Sequence, residues 1–126
     1  MTLFVDADSC PVRIREIICR TAQRLHVQAI FVANRSIPIP RNSYCTTIVT
    51  KAEDQAADMY IITYAAQGDM VITRDIPLAK QLVEAHIKVI NDRGVVYTAE
   101  NIAVLYIPLK ISESAYLSGI LCMNCR

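Results

Sequence analysis

The sequence predicts a three-layer α/β domain with a mainly parallel central sheet. Three observations lead to this fold class. Short apolar runs of β-type composition alternate with segments of helical composition, which is typical of strands joined by right-handed crossovers. The 126 residues are a usual length for a single domain spanning 1–126. The hydrophobic fraction of 53% is sufficient for a sheet buried on both faces.

The first two elements are a strand and an amphipathic helix. Leu3–Val5 is a short apolar run, and a helix is expected over Val12–His26, with Pro11 in its first turn and Ser9 as its cap. This helix is expected to cover one face of the sheet, because its apolar residues recur every three or four positions. They are Ile14, Ile17, Ile18, Ala22 and Leu25.

Two strands then follow without a helix between them. Val27–Val32 and Cys45–Val49 are rich in apolar and β-branched residues, which favours strands. Asn34–Ser43 contains two prolines and is expected to be a loop.

Helices and strands alternate again in the second half. A helix is expected over Ala52–Gln67 and ends at Gly68, a residue that tolerates the backbone of a helix C-terminus. Met70–Thr73 is the fourth strand, Pro77 opens the next helix, and Ile87–Ile90 is the fifth strand.

The last part of the chain has weaker signals. After a turn at Asp92–Gly94, Thr98 is expected to cap a short helix that Pro108 ends, and Ser112 to cap another. The role of the Cys122 and Cys125 pair stays open, since two thiols are half of a structural zinc site.

Composition excludes several classes of protein. Thirteen basic against twelve acidic residues give a net charge of +1, so no overall field attracts nucleic acid or a membrane surface. The longest apolar stretches, such as Met59–Ala66, are too short to span a membrane. The N-terminus has no basic leader, and the five cysteines are an odd number, so a cytoplasmic protein with reduced thiols is expected. The apolar surplus is compatible with a homodimer.

Acidic and amide residues follow the predicted strands. Asp6 and Asp8 come after the first strand, Asn34 after the second and Asp75 after the fourth, while Asp58 lies on the apolar stripe of the helix between the third and fourth strands. Ligands of open parallel sheets bind at the carboxyl ends of the strands. Converging carboxylates need a neutralising charge, and an all-oxygen ligand set selects Mg²⁺ or Mn²⁺. Alternatively, each aspartate only caps a helix or is solvated.

Two arginines lie on the loop near the expected site. Arg35 and Arg41 are candidate clamps for substrate phosphates, and the alternative is a solvated basic surface. Asn34 and Thr73 complete the set of residues expected to contact the substrate.

Several segments resemble the YaiI/YqxD family of uncharacterised bacterial proteins. The resemblance rests on Phe4–Pro11, Ala33–Asn34, the helix of Asp58, and Gly68–Ala79, and it extends to about Asn101. Family members typically continue beyond this C-terminus, so the segment of about 108–126 is expected to be divergent or truncated.

That family is similar in fold to PIN domains, which resemble FEN-like ribonucleases that hold Mg²⁺ or Mn²⁺ with acidic side chains. The resemblance implies metal-binding and catalytic roles for Asp6, Asp58 and Asp75, and Asp8 belongs to the family's own motif. Asp69 lies at the entry end of a strand and is expected to be structural.

The function expected from these residues is a metal-dependent phosphodiesterase, with RNA as the first candidate substrate. One alternative is an Asp-nucleophile phosphohydrolase of the haloacid-dehalogenase type, since Asp6 and Asp8 follow a strand as that mechanism requires, although Cys10 does not fit it. Another is a non-catalytic module that binds metal or nucleic acid.

Overall fold

The computed structural model describes residues 1–40, 42–53 and 55–103. Arg41 and the residues from 104 onward, which include Pro108, Ser112, Cys122 and Cys125, lie outside the described residues. The sheet strands in the described part are β1 (Thr2–Asp6), β2 (Gln28–Ala33), β3 (Cys45–Val49), β4 (Met70–Ile72) and β5 (Lys88–Ile90). The helices that flank the sheet are α1 (Val12–Leu25), α2 (Ala56–Tyr64) and α3 (Ile76–Glu84).

The strands form a parallel sheet in the order β3-β2-β1-β4-β5, which confirms the predicted fold class. The chain moves outward from β1 through β2 to β3, then returns to the other side of β1 for β4 and β5. The direction of winding therefore reverses between β1 and β4. In open α/β sheets, the crevice at such a reversal is where ligands bind.

Apolar side chains fill a core on each face of the sheet. Alternate residues of a strand point to opposite faces, so Phe4 belongs to one core and Val5 to the other. The core of Phe4 contains buried residues of α2 and α3, such as Ile61 and Leu82, whereas the core of Val5 contains Ile18 and other residues of α1. Two helical layers around one sheet give the three-layer arrangement.

The loop between β2 and β3 replaces the helix that usually joins parallel strands. It packs on the same face as α1, with Ile37 and Ile39 against that core. The Asn42 side chain donates to the Cys19 carbonyl at 2.8 Å, and Arg15 donates to the Pro38 carbonyl at 3.0 Å. These hydrogen bonds to α1 hold the loop in place, although its described residues form no helix.

Two predictions about the helices were wrong. Ser9 does not cap α1; it lies in a 3₁₀ turn at Ala7–Ser9, and the Pro11 carbonyl accepts the first helical bonds. The helix predicted over Ala52–Gln67 is shorter, since α2 runs from Ala56 to Tyr64. Its start is set by the left-handed backbone of Gln55 (φ 68°), and the Ala66 N–H donates to Asp69 instead of continuing the helix.

Among the remaining elements, β3 has the predicted bounds, and the other predicted ends differ from the observed ones by at most one residue. His26 follows α1 in a left-handed conformation instead of belonging to it. The Thr98 hydroxyl accepts from the Asn101 N–H at 3.2 Å and caps a helical turn that starts at residue 99, as expected. No helix formed by the described residues has the length and hydropathy of a membrane span.

Asp69 joins the entry ends of β1 and β4. Its two carboxylate oxygens accept from the Thr2 N–H at 2.9 Å and from the Ala66 N–H at 3.0 Å. We expect Asp69→Ala to lower the free energy of unfolding by about 1–3 kcal/mol, because both donors lose a charged partner. Urea denaturation measures the change. Glu84→Ala is the control, since the exposed Lys80–Glu84 pair is worth at most about 1 kcal/mol. Equal losses in the two variants would contradict the assigned role of Asp69.

Candidate functional site

An open pocket of about 420 Å³ lies at the carboxyl edge of the sheet, where the winding reverses. It contains all four aspartates that the sequence singles out, although they come from different elements. Its lining residues are Asp6, Asp8, Ser9, Asn34, Gln55, Ala57, Asp58, Arg74 and Asp75. We call this cavity the acidic pocket.

Asp6 ends β1 and is the most deeply buried acid of the pocket, with 6% of its surface exposed. The Thr73 hydroxyl donates to Asp6 Oδ2 at 2.9 Å. Burial raises the pKa of Asp6, the hydrogen bond from Thr73 opposes that rise, and the nearby charges of Asp75 and Asp8 add to it. Asp6 is therefore a carboxylate held in a fixed position at an energetic cost.

Thr73 lies behind the pocket instead of lining it. It is 2% exposed, and its hydroxyl accepts from the Asp75 N–H at 3.0 Å while donating to Asp6. Thr73 therefore connects the ends of β1 and β4. The structure gives it a positioning role, and its burial keeps it from direct contact with a substrate.

Asp75 has two roles in the same place. Its Oδ1 accepts from the Leu78 N–H at 3.0 Å and caps α3. Helix capping is the structural alternative to metal binding that the sequence leaves open. It also lines the acidic pocket. Capping fixes the direction of the carboxylate and leaves Oδ2 for another partner.

Asp58 reaches the pocket from the first turn of α2. Its pKa is raised to about 7, first by burial and then by a hydrogen bond with Asp75 and the charges of Asp75, Asp6 and Asp8. Two carboxyl groups at hydrogen-bond distance share a proton more readily than they carry two negative charges. Below about pH 7 the pocket thus tends to hold a proton, and a cation would relieve the same repulsion.

Asp8 faces the loop that follows β2. Its Oδ2 accepts from the Asn34 N–H at 3.0 Å, and its Oδ1 lies 3.9 Å from Arg35 Nε. Asp8 therefore does not cap α1. The arginine side chain is 78% exposed, so the ion pair itself contributes little stability.

Sequence reasoning missed two polar side chains of the acidic pocket. Arg74 donates from Nη2 to Asp92 Oδ2 at 2.6 Å, which places its guanidinium at the pocket. Gln55 lines the pocket from its left-handed position before α2. The strand-end position of Arg74 in the sequence was a usable signal, whereas the conformation of Gln55 depends on tertiary packing.

The donor set of the pocket suits a hard divalent cation, because carboxylate and amide oxygens are the ligands that Mg²⁺ and Mn²⁺ prefer. However, among the described residues no three His, Cys, Asp or Glu side chains form a group arranged to hold a metal ion. This differs from the expectation that four carboxylates reach one ion. Asp8 and Asp75 each use one carboxylate oxygen elsewhere, as acceptors from the Asn34 N–H and the Leu78 N–H. Mg²⁺ needs only one or two carboxylates, since it keeps several waters.

The other residues expected at the site are placed as follows. Asn34 lines the pocket, Arg35 pairs with Asp8, and Arg41 lies outside the described residues. Cys10 is buried, and burial raises the pKa of its thiol to about 11, so it is not a nucleophile at neutral pH. The described cysteines Cys10, Cys19 and Cys45 are free thiols, as predicted.

The raised pKa of Asp58 predicts a pH dependence of stability in a metal-chelating buffer. The folded state binds the Asp58 proton more tightly than the unfolded chain, so this stabilisation is complete below about pH 4 and is lost as the pH rises to about 7. We expect Asp58→Asn, which has no such proton, to gain stability relative to the original protein over that interval. Denaturation at several pH values measures the difference, and a difference that stays constant with pH would contradict the shift.

Comparisons with known proteins place this chain among bacterial relatives. A family model described as "Uncharacterized BCR, YaiI/YqxD family" matches residues 4–120. A "UPF0178 protein" of Treponema pallidum (strain Nichols) is 59% identical over 102 residues, which are 81% of this chain and 58% of that protein. A "UPF0178 protein" of Psychromonas ingrahamii is 44% identical over 119 residues, which are 94% of this chain and 79% of that protein.

A second relative of the same name, from Treponema denticola, is 52% identical over 102 residues, and the match covers 64% of its length. The chain therefore spans about three fifths of the length of the Treponema relatives. No solved structure matches the chain, so similarity to PIN domains stays a prediction. The family match covers most of the chain and includes every aspartate of the acidic pocket; the chain belongs to the YaiI/YqxD family.

Proposed function

We propose that this chain is a phosphodiesterase that depends on Mg²⁺ or Mn²⁺ and acts on RNA. One observation carries the proposal: Asp6, Asp8, Asp58 and Asp75 line one open pocket at the reversal of winding between β1 and β4. Converging carboxylates repel one another and lose stability where they are partly buried, so their convergence supports a positively charged ligand.

Asp6 and Asp58 are the carboxylates that we expect to hold the cation. Asp6 is positioned by Thr73, and a cation would displace the proton that the raised pKa of Asp58, about 7, favours. Asp75 and Asn34 line the same pocket and would bind waters around the ion. A bound divalent cation would supply positive charge to the phosphate and activate water for attack on phosphorus.

The remaining pocket residues would position the phosphodiester. The Arg74 guanidinium, oriented by Asp92, borders the pocket and offers donors to phosphate oxygens. Arg35 lies on the loop at the Asp8 side and is a second candidate for phosphate. Asp75, whose direction is set by capping, would orient the water through Oδ2.

Metal binding is the first test. We expect Mn²⁺ or Mg²⁺ to stabilise the fold by about 2.7 kcal/mol when the free cation is about 100 times its Kd, since only the folded state brings the acids together. Thermal melts with and without the cation measure the increment, which Asp6→Asn should abolish. Asp69→Asn is the matched control, because Asp69 lies at the opposite edge of the sheet. An unchanged midpoint in excess cation would count against the metal site.

Cleavage of single-stranded RNA is the second test. We expect turnover to require the divalent cation and to fall by about two orders of magnitude or more in Asp6→Asn but not in Asp69→Asn. Gel analysis of a labelled RNA measures it. A phosphoaspartyl enzyme trapped on Asp6 would favour the Asp-nucleophile phosphohydrolase instead. Metal binding without hydrolysis of RNA, DNA or small phosphodiesters would favour the non-catalytic module.

A further inference from the structure

A second open cavity, of about 490 Å³, lies next to the acidic pocket along α2. Gln55 lines both cavities, so the two surfaces are continuous. We call the second cavity the tyrosine groove. The residues used below are Lys51, Glu53, Gln55, Met59, Tyr60 and Tyr64.

Two tyrosine rings form the wall of this groove. Tyr60 packs against the core between α2 and the sheet, and the Tyr64 ring lies on it with centroids 4.5 Å apart and planes tilted by 40°. Tyr64 is nevertheless 61% exposed, and Met59 beside it is 60% exposed. An aromatic ring that is both exposed and held by a half-buried ring is ready to stack with a planar ligand, because little rotamer freedom remains to be lost.

The groove also carries one charge of each sign. Lys51 is exposed and offers an ammonium group to an anion, whereas Glu53 opposes it. Gln55, at the junction with the acidic pocket, presents amide donors and acceptors. Aromatic rings and cationic side chains along a groove are the features with which proteins bind single-stranded nucleic acid.

We infer that the tyrosine groove binds single-stranded RNA, with a base stacked on Tyr64 and a phosphate near Lys51. The inference deepens the proposed function, because a strand whose scissile phosphate lies in the acidic pocket must continue onto an adjoining surface. Continuity through Gln55 makes the groove such a surface. The mixed charge also distinguishes it from the charge-depleted centre of a protein–protein interface.

The affinity for single-stranded RNA tests the inference. It is measured by fluorescence anisotropy of a labelled oligouridylate of about ten nucleotides, in a metal-chelating buffer that prevents metal-dependent cleavage. Tyr64→Ala should weaken binding about five-fold or more, the effect of losing one stacked base, while Tyr64→Phe should retain it. Leu25→Ala is the control: Leu25 is also exposed, but it ends α1 on the other face of the sheet.

The charges give an independent readout. Lys51→Ala should reduce the slope of log K against log salt by about 0.7, as expected for one lost contact to a single strand. Glu53→Gln should tighten binding. Lys88→Ala, at the far edge of the sheet, should change neither affinity nor slope.

The outcomes separate this inference from the proposed function. A small phosphodiester such as bis(p-nitrophenyl) phosphate does not reach the groove, so its hydrolysis should depend on Asp6 and not on Tyr64. If hydrolysis depends on Asp6 but RNA binding is insensitive to Tyr64→Ala, RNA binding in the tyrosine groove is overturned and the proposed activity stands. If RNA binding depends on Tyr64 but no substrate is hydrolysed, RNA binding in the tyrosine groove is supported and the proposed activity is overturned. Self-association lost in Tyr64→Ala would assign the groove to a second copy of the chain and overturn the inference.

Discussion

The parallel pairing of β1 with β4 brings like charges together at one edge of the sheet. β1 ends at Asp6, and β4 leads into Thr73 and Asp75, so the register that pairs Val5 with Ile72 also fixes the distance between the two acids. The Thr73 hydroxyl then joins them by donating to Asp6 and accepting from the Asp75 N–H. Backbone pairing and one hydroxyl thus oppose the repulsion between carboxylates.

That arrangement reduces stability locally, and other parts of the fold compensate. Burial raises the pKa of both Asp6 and Asp58, which means that their ionised forms are disfavoured in the folded protein. Gln55 adds a left-handed backbone conformation that non-glycine residues adopt at a cost. The compensation comes from two apolar cores that include fully buried Phe31 and Ile61. A buried acid and a left-handed non-glycine residue at the same pocket are local costs of the kind found at functional sites.

The sequence predicts the fold and the acids of the pocket because both follow from the succession of strands, helices and acidic residues along the chain. A parallel sheet brings every strand end to the same edge, so aspartates that follow strands could be grouped without coordinates. Arg74, at the end of a strand, and Tyr64, four residues after Tyr60 on one helix, carry sequence signals that the prediction does not use. The left-handed conformation of Gln55, in contrast, depends on packing between distant elements. The start of α2 was wrong for the same reason, because helical composition over Ala52–Gln67 does not reveal a left-handed residue at its entrance.

The loop after β2 links the acidic pocket to its surroundings through weak contacts. Asp8 accepts a backbone hydrogen bond from Asn34 and lies 3.9 Å from the exposed Arg35. An exposed ion pair contributes at most about 1 kcal/mol, so Arg35 exchanges partners at little cost. Under the proposed function, a phosphate in the pocket would be a stronger partner than Asp8, because Asp8 Oδ2 already accepts from the Asn34 N–H whereas a phosphate can accept two parallel hydrogen bonds from a guanidinium. The hydrogen bond from the Asn34 N–H to Asp8 therefore keeps the loop near the pocket, and the weakly paired Arg35 would be free to follow a phosphate if the proposed function holds.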